Sequence, residues 1–390
     1  MLYSLVKFFV RLALQLFCRK ITINDRSVLQ SKGPLLLACN HPNSFFDAIL
    51  VATLFTQPVH FLARGDAFRK PLAKKLLTKL NLIPIYRLSE GREYLALNDT
   101  TFERCHQILL QGGIVLIFSE GLCVHQWALR PLKKGTARIA LNAWAEPAIA
   151  KKFRVLPVSL NYNSFSDFGK RIIIHVGIPM TGEVFLKETS EGEKINHFNQ
   201  MLSALLNQGI LQCENNADIV QMFISNHSAI RGSAREEIGL LKNKQEEALQ
   251  KKLLAVPHPL RSPYLIAITS FQLFTSSLGV LIILIPAVAG WILHIPLYLP
   301  IKKLIRKNTT GTVFYDSVLF VILLILYPIY YLLLNFISLF LIQNEFVNLI
   351  ILLLPILAGV FLLWKDCFQR TINYVRLRPA QRRDIKILFR

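Results

Sequence analysis

The chain has 390 residues, with 45 Lys and Arg against 24 Asp and Glu for a formal charge of +21, and its mean hydropathy is +0.40. High hydropathy together with high positive charge is wrong for an ordinary soluble enzyme; it suits bilayer spans with a basic surface facing anionic headgroups. Nucleic-acid binding is the other common source of such charge. The sequence holds no RNP-like, zinc-finger or basic-zipper signature, and its cations flank apolar segments, so no nucleic-acid partner is expected. Six cysteines (Cys18, Cys39, Cys105, Cys123, Cys213, Cys367) include no CxxC pair, which argues for reduced thiols over a disulfide framework or structural zinc.

Residues 1–20 place Lys7, Arg11, Gln15 and Arg19 at every fourth position among Leu and Phe. A signal peptide keeps its apolar centre free of charge. The pattern predicts an amphipathic helix in a membrane interface, apolar side down, with a helix docked on a protein core as the alternative. Residues 22–190 alternate short apolar runs with helical stretches. The runs Pro34–Ala38, Val59–Ala63, Leu82–Tyr86, Gly113–Phe118, Arg154–Leu160 and Arg171–Gly177 are bounded by Gly, Pro or Asn, as buried strands are. Phe45–Leu54, Phe68–Leu80 and Glu90–Leu110 are predicted helices between them, which defines an α/β layer fold.

Residues 191–260 are polar and helical in pattern, including Ala234–Leu254, and are predicted to be a lid or connector. Residues 264–364 are predicted to be transmembrane. Tyr264–Pro300 has no Asp, Glu, Lys or Arg, too long for one span of about 20 residues and enough for a tight pair turning at Ser276, Ser277 and Gly279. Val313–Ile342 contains only Asp316, and Phe346–Trp364 follows after Gln343-Asn344-Glu345. Lys302, Lys303, Arg306 and Lys307, and the basic tail at 365–390 with eight Lys/Arg against two Asp, belong on the cytoplasmic side. Placing both clusters there requires four crossings.

Chemistry concentrates after the first apolar run, in Asn40-His41-Pro42-Asn43-Ser44-Phe45-Phe46-Asp47. A neutral imidazole can take a proton from a hydroxyl, and a carboxylate on its other nitrogen fixes the tautomer. The nucleophile can then be the substrate's own hydroxyl; no G-x-S-x-G elbow is present. Alternatively, Ser44 and Asp47 form an S-x-x-D helix cap and His41 is a loop residue. Further blocks follow: Ile83-Pro84-Ile85-Tyr86-Arg87, Ile117-Phe118-Ser119-Glu120-Gly121, Leu132-Lys133-Lys134-Gly135-Thr136-Ala137 and Val155-Leu156-Pro157-Val158-Ser159.

Their order and spacing over roughly residues 30–180 resembles the glycerol-3-phosphate and 1-acyl-glycerol-3-phosphate acyltransferases, the glycerolipid acyltransferase family. That family's blocks read N-H-x4-D, an Ile-Pro-x-x-Arg-like strand end, F-P-E-G-T and V-P-V. Here five residues separate His41 from Asp47 where the usual pattern has four, and the third block reads F-S-E-G-L. The extra residue falls in the loop at Pro42-Asn43, where it does not rotate the following helix. The resemblance implies an α/β fold, an acyltransferase-like mixed sheet with flanking helices, followed here by a C-terminal α-helical transmembrane region. It implies a membrane-bound O-acyltransferase of phospholipid synthesis, with acyl-CoA or acyl carrier protein as co-substrate and no other cofactor. His41 would be the general base and Asp47 its orienter. Arg87 would bind the acceptor's phosphate, Glu120 and Gly121 would shape the acceptor site, Lys133 (with Lys134) would meet the acyl donor's phosphates or membrane anions, and Arg64 would be the substrate-binding basic residue that the family often has after this strand, with plain surface charge as the alternative. Pro157 would shape a strand end. No metal site is expected: no H-E-x-x-H or acidic cluster is present. A membrane transport or scaffolding protein with a degenerate acyltransferase-like module is the alternative; charges inside the spans would favour transport, and Asp316 is the one candidate.

Overall fold

The structure, a computed structural model, describes residues 2–87, 91–94, 96–162, 164–166, 168–187, 190–210 and 270–376. The chain forms two compact units. One comprises Met1–Leu14, Ile21–Tyr162 and Ile172–Gln212; the other comprises Gln15–Lys20, Asn163–Arg171 and Cys213–Arg390.

The first unit is built on a seven-stranded mixed sheet, of whose elements the residues Gln15–Lys20, Lys170 and Arg171 are counted with the second unit. Its elements are α1 (Leu2–Phe17), β1 (Cys18–Ile23), β2 (Leu35–Cys39), α2 (Ser44–Leu54), β3 (Val59–Arg64), α3 (Pro71–Lys79), β4 (Leu82–Ile85), α4 (Leu97–Leu110), β5 (Ile114–Phe118), α5 (Lys134–Ala145), β6 (Arg154–Tyr162), β7 (Lys170–Val176) and α6 (Glu191–Gly209). The strand order is β1-β7-β6-β2-β5-β3-β4. Strands β6, β2, β5, β3 and β4 run parallel, and β7 is antiparallel to β6. All five residues of β2 are buried, as a strand covered on both faces requires. One side of the sheet is filled by a cluster that includes Leu36, Val115, Ile117, Ala140, Trp144, Phe153, Phe198 and Leu202.

All six predicted strands form, within a residue or two of their expected bounds, and β1 is added. The first helix stops at Phe17, so Arg19 and Lys20 belong to β1. The cations of α1 face protein. Lys7 Nζ bonds Phe55 O, and Arg11 reaches Thr53 O at 2.6 Å and Leu54 O at 3.1 Å, all carbonyls at the end of α2. These are the unpaired acceptors that a helix C-terminus presents, and cations suit them. Burial lowers the Lys7 ammonium to about 8. Leu5, Phe8, Phe9 and Leu12 on α1 stay exposed. Val10 and Leu14 are buried beside these cations, while a second apolar stripe stays outward.

Pro157 lies inside β6, not at its end. Pairing with β7 begins at Val158, so no ladder donor is needed at Pro157, whose carbonyl accepts from Gly177 N at 2.9 Å.

In the second unit the helices are α7 (Ser270–Ile282), α8 (Leu284–Thr309), α9 (Tyr315–Ile337), α10 (Glu345–Leu352) and α11 (Leu354–Arg376), with a π turn at Ser338–Ile342. The expected turn at Ser276–Gly279 is absent: those residues lie inside α7, and the break falls at Ile283. Proline explains the position. Pro286 has no N–H and its ring crowds the carbonyl four residues earlier, at Ile282, where α7 stops. Pro355 ends α10 beside Ile351 in the same way.

The expected four crossings run over residues 264–364, of which 264–269 lie outside the described residues. Among the described residues, Leu284–Thr309 and Tyr315–Ile342 are long and apolar enough to cross a membrane. The pair Glu345–Leu352 and Leu354–Phe368, bent by 64°, makes a third if it is one span. The predicted helix Ala234–Leu254 and most of the basic tail lie outside the described residues.

Two carboxylates of this second unit form ion pairs. Asp316 and Lys170, both fully buried, form an ion pair. Asp366 accepts from Arg19 Nε and from an Arg171 guanidinium nitrogen, each at 2.9 Å.

Candidate active site

Parallel register aligns Cys39 with Phe118 and Arg64 with Ile85. The segments after β2, β3, β4 and β5 therefore leave from one edge of the sheet, the carboxyl edge. His41, Arg64, Arg87 and Glu120 all sit there, at the place where open α/β sheets bind ligands.

His41 is 9% exposed and stacks on Phe118 with ring centroids 3.9 Å apart. Its Nδ1 is 2.9 Å from Asp47 Oδ2. A carboxylate there fixes the proton on Nδ1 and leaves Nε2 as the basic nitrogen. Asp47 is fully buried and also accepts from Asn43 N at 2.8 Å and, through Oδ1, from Tyr162 Oη at 2.5 Å. Asp47 thus accepts from the backbone at the first turn of α2 and also meets the His41 imidazole. Ser44 is not the cap. It opens α2 at φ +53°, a left-handed backbone rare outside glycine, and its N–H donates to Cys123 Sγ at 2.8 Å. Burial raises the Cys123 thiol to about 12, and the Asp47 carboxylate adds to the rise.

Glu120 is 3% exposed, and its two oxygens accept from backbone donors: Oε2 from His41 N at 2.9 Å and Oε1 from Arg130 N at 2.8 Å. Burial pushes this carboxyl above its ordinary value, and the two N–H groups oppose the rise. Glu120 thus ties the His41 loop to the segment before α5. Gly121 takes φ +71°, and a Cβ there would lie 2.9 Å from Lys133 Cγ, so glycine is needed for both backbone and space. Lys133 itself is exposed at the start of α5. Arg64 is half-exposed and pairs with Asp66. Arg87 lies just beyond β4, three strands from β2 in the sheet order.

Hydrogen bonds thus gather His41, Asp47 and Glu120 into one network, whereas Arg64, Arg87 and Lys133 share its edge. Three members were not anticipated. Tyr162 ends β6 and caps the His41–Asp47 chain. Asn40 clamps β2's exit to β6, its side chain donating to Leu160 O at 3.0 Å and accepting from Leu160 N at 2.7 Å. Arg130 supplies the backbone donor to Glu120. Asn40 stands in the motif itself; Tyr162 and Arg130 carry no signal until strand register brings them in.

The site is thus a buried His–Asp pair at the carboxyl edge of an open mixed α/β sheet. Residues 20–161 match the sequence model of the Acyltransferase family. Among solved structures, the 1-acyl-sn-glycerophosphate (LPA) acyltransferase PlsC from Thermotoga maritima is similar at 16% identity, covering 53% of this chain and 78% of that one, with a TM-score of 0.38. No curated protein matches the chain.

Proposed function

We propose that this protein transfers a fatty acyl group from acyl-CoA or acyl carrier protein to a hydroxyl of glycerol 3-phosphate or lysophosphatidate, in phospholipid synthesis. The buried chain Tyr162–Asp47–His41, ending on Nε2, is the observation that carries this reading. His41 Nε2 takes the proton of the acceptor hydroxyl as its oxygen attacks the thioester carbonyl. Collapse of the tetrahedral intermediate breaks the C–S bond, and the imidazolium returns the proton to the departing thiolate. Asp47 stabilises the imidazolium throughout.

Arg87, whose guanidinium is suited to bidentate phosphate binding, holds the acceptor's phosphate. Arg64 and Lys133 add positive charge to the same edge for phosphates of acceptor or donor. Glu120 and Gly121 shape the site by fixing the loops around it. The catalytic domain lies on the cytoplasmic face, where acyl-CoA and acyl carrier protein are made and where Lys302–Lys307 belong by the positive-inside bias. The test is purified full-length protein with labelled acyl-CoA and a panel of acceptors, products resolved by mass. Acylation of a phosphorylated glycerol acceptor is expected; acylation of none of the panel contradicts the reading.

A further inference from the structure

Helix α3 lacks the fully buried stripe that a helix in this position ordinarily has: none of its nine residues is buried. At 100° per residue, Leu72 and Leu76 fall on one face with Lys75 and Lys79, while Ala73 and Leu77 turn toward the other side. Leu72 is 81% exposed and Leu76 49%. Both lysines are exposed as well. The local charge is one-sided: between Asp66 and Glu90 the sequence has Arg69, Lys70, Lys74, Lys75, Lys79 and Arg87 and no carboxylate. Leucines flanked by lysines, with the neighbouring Asp66 paired to Arg64, form a face that water solvates poorly and that a negatively charged headgroup layer solvates well. The leucine tips enter the acyl boundary and the ammonium groups stay among phosphates.

We propose that the Leu72–Leu76, Lys75–Lys79 face of α3 docks on an anionic lipid bilayer. A protein partner with an acidic, apolar groove is the competing occupant, but the bilayer fits better: exposed leucines lie beside lysines along one face of a nine-residue helix, as an anionic headgroup layer accommodates. Helix α3 begins at the carboxyl edge of the sheet, which also exposes Phe45, Leu122 and Val124 around the His41 loop. Docking there places the domain bearing His41 against the phase that holds a lipid acceptor. The inference stands on the α3 surface and does not require acyl transfer.

Full-length protein carrying the photo-crosslinking residue p-benzoylphenylalanine at Leu72, at Leu76, or at exposed Gln111 is reconstituted in nanodiscs of phosphatidylcholine with or without phosphatidylglycerol, irradiated, and its adducts identified by mass. Both α3 positions should yield lipid adducts in the anionic discs well above Gln111. Adding Lys75→Gln and Lys79→Gln to the Leu72 variant should lower the yield by roughly tenfold, at up to about fivefold per lysine near such a surface. Equal yields at Leu72 and Gln111, adducts to protein instead of lipid, or insensitivity to phosphatidylglycerol would each overturn the proposal. None of these readouts depends on activity, so a failed acyltransferase assay leaves the result legible.

Discussion

Two buried aspartates divide the molecule's two units. Asp47 and Asp316 are both fully shielded from water. Asp47 is held by donors that stay neutral (Asn43 N–H and Tyr162 Oη) plus one imidazole that can gain and lose a proton. Asp316 is held by Lys170, which has no exposure of its own. The first arrangement sets a carboxylate among a backbone N–H, a phenol and an imidazole. The second sets a carboxylate against a lysine in an apolar unit. Burial of a carboxylate therefore does not mark a site by itself; the partner decides.

The same substitution in both places separates the two roles. Asp47→Asn should lower acyl transfer by about 100- to 10,000-fold with the protein still folded, because an amide on Nδ1 permits the wrong imidazole tautomer. Asp316→Asn should leave the rate per folded molecule near wild type but strand the Lys170 charge, at about 3–5 kcal/mol of stability. Thermal unfolding in detergent reads that loss, and pairing Asp316→Leu with Lys170→Met should recover most of it. A stable, inactive Asp316→Asn protein would instead make Asp316 part of the function and revive the transport reading.

Tyr162→Phe removes one hydrogen bond to a charged group, worth about 1.5–3 kcal/mol, so kcat should fall roughly 10- to 100-fold with acceptor KM little changed. An unchanged kcat would show that Asn43 and His41 suffice to fix Asp47. Arg87→Ala should raise the acceptor KM more than the acyl-donor KM, and Arg87→Lys should recover only part, since lysine keeps charge but not the fork. Equal effects on both substrates would remove Arg87 from the acceptor site.

The smallest expected effect is at Cys123. With its thiol raised to about 12, it stays protonated as pH rises from 7 to 9, while an ordinary cysteine ionises near 8.5. Iodoacetamide at pH 8 should label native Cys123 far more slowly than the unfolded chain, as peptide mass mapping would show.

The sequence made some of this legible and hid the rest for physical reasons. Fully buried strands such as β2 and β5 announce themselves as short apolar runs, and the His41–Asp47 spacing is local enough to read along one loop and helix turn. Edge strand β1, Cys-Arg-Lys-Ile-Thr-Ile, has no such run and was absorbed into the helix before it. Tyr162 and Asp47 are 115 residues apart and meet only through the register of β6 on β2, which residue order does not disclose. In the spans, Ser276–Gly279 looked like a turn because Ser and Gly break helices in water. Inside an apolar unit the backbone keeps its own hydrogen bonds, and Pro286 sets the break instead.

Single-turnover acyl transfer by wild type and His41→Ala, matched for fold by circular dichroism and supplied with saturating acyl-CoA and lysophosphatidate, tests the central claim most directly. The account predicts phosphatidate formation by the wild type and a rate about 100- to 10,000-fold lower in the variant. Equal single-turnover rates would contradict it, because Nε2 of His41 would then have no part in moving the proton.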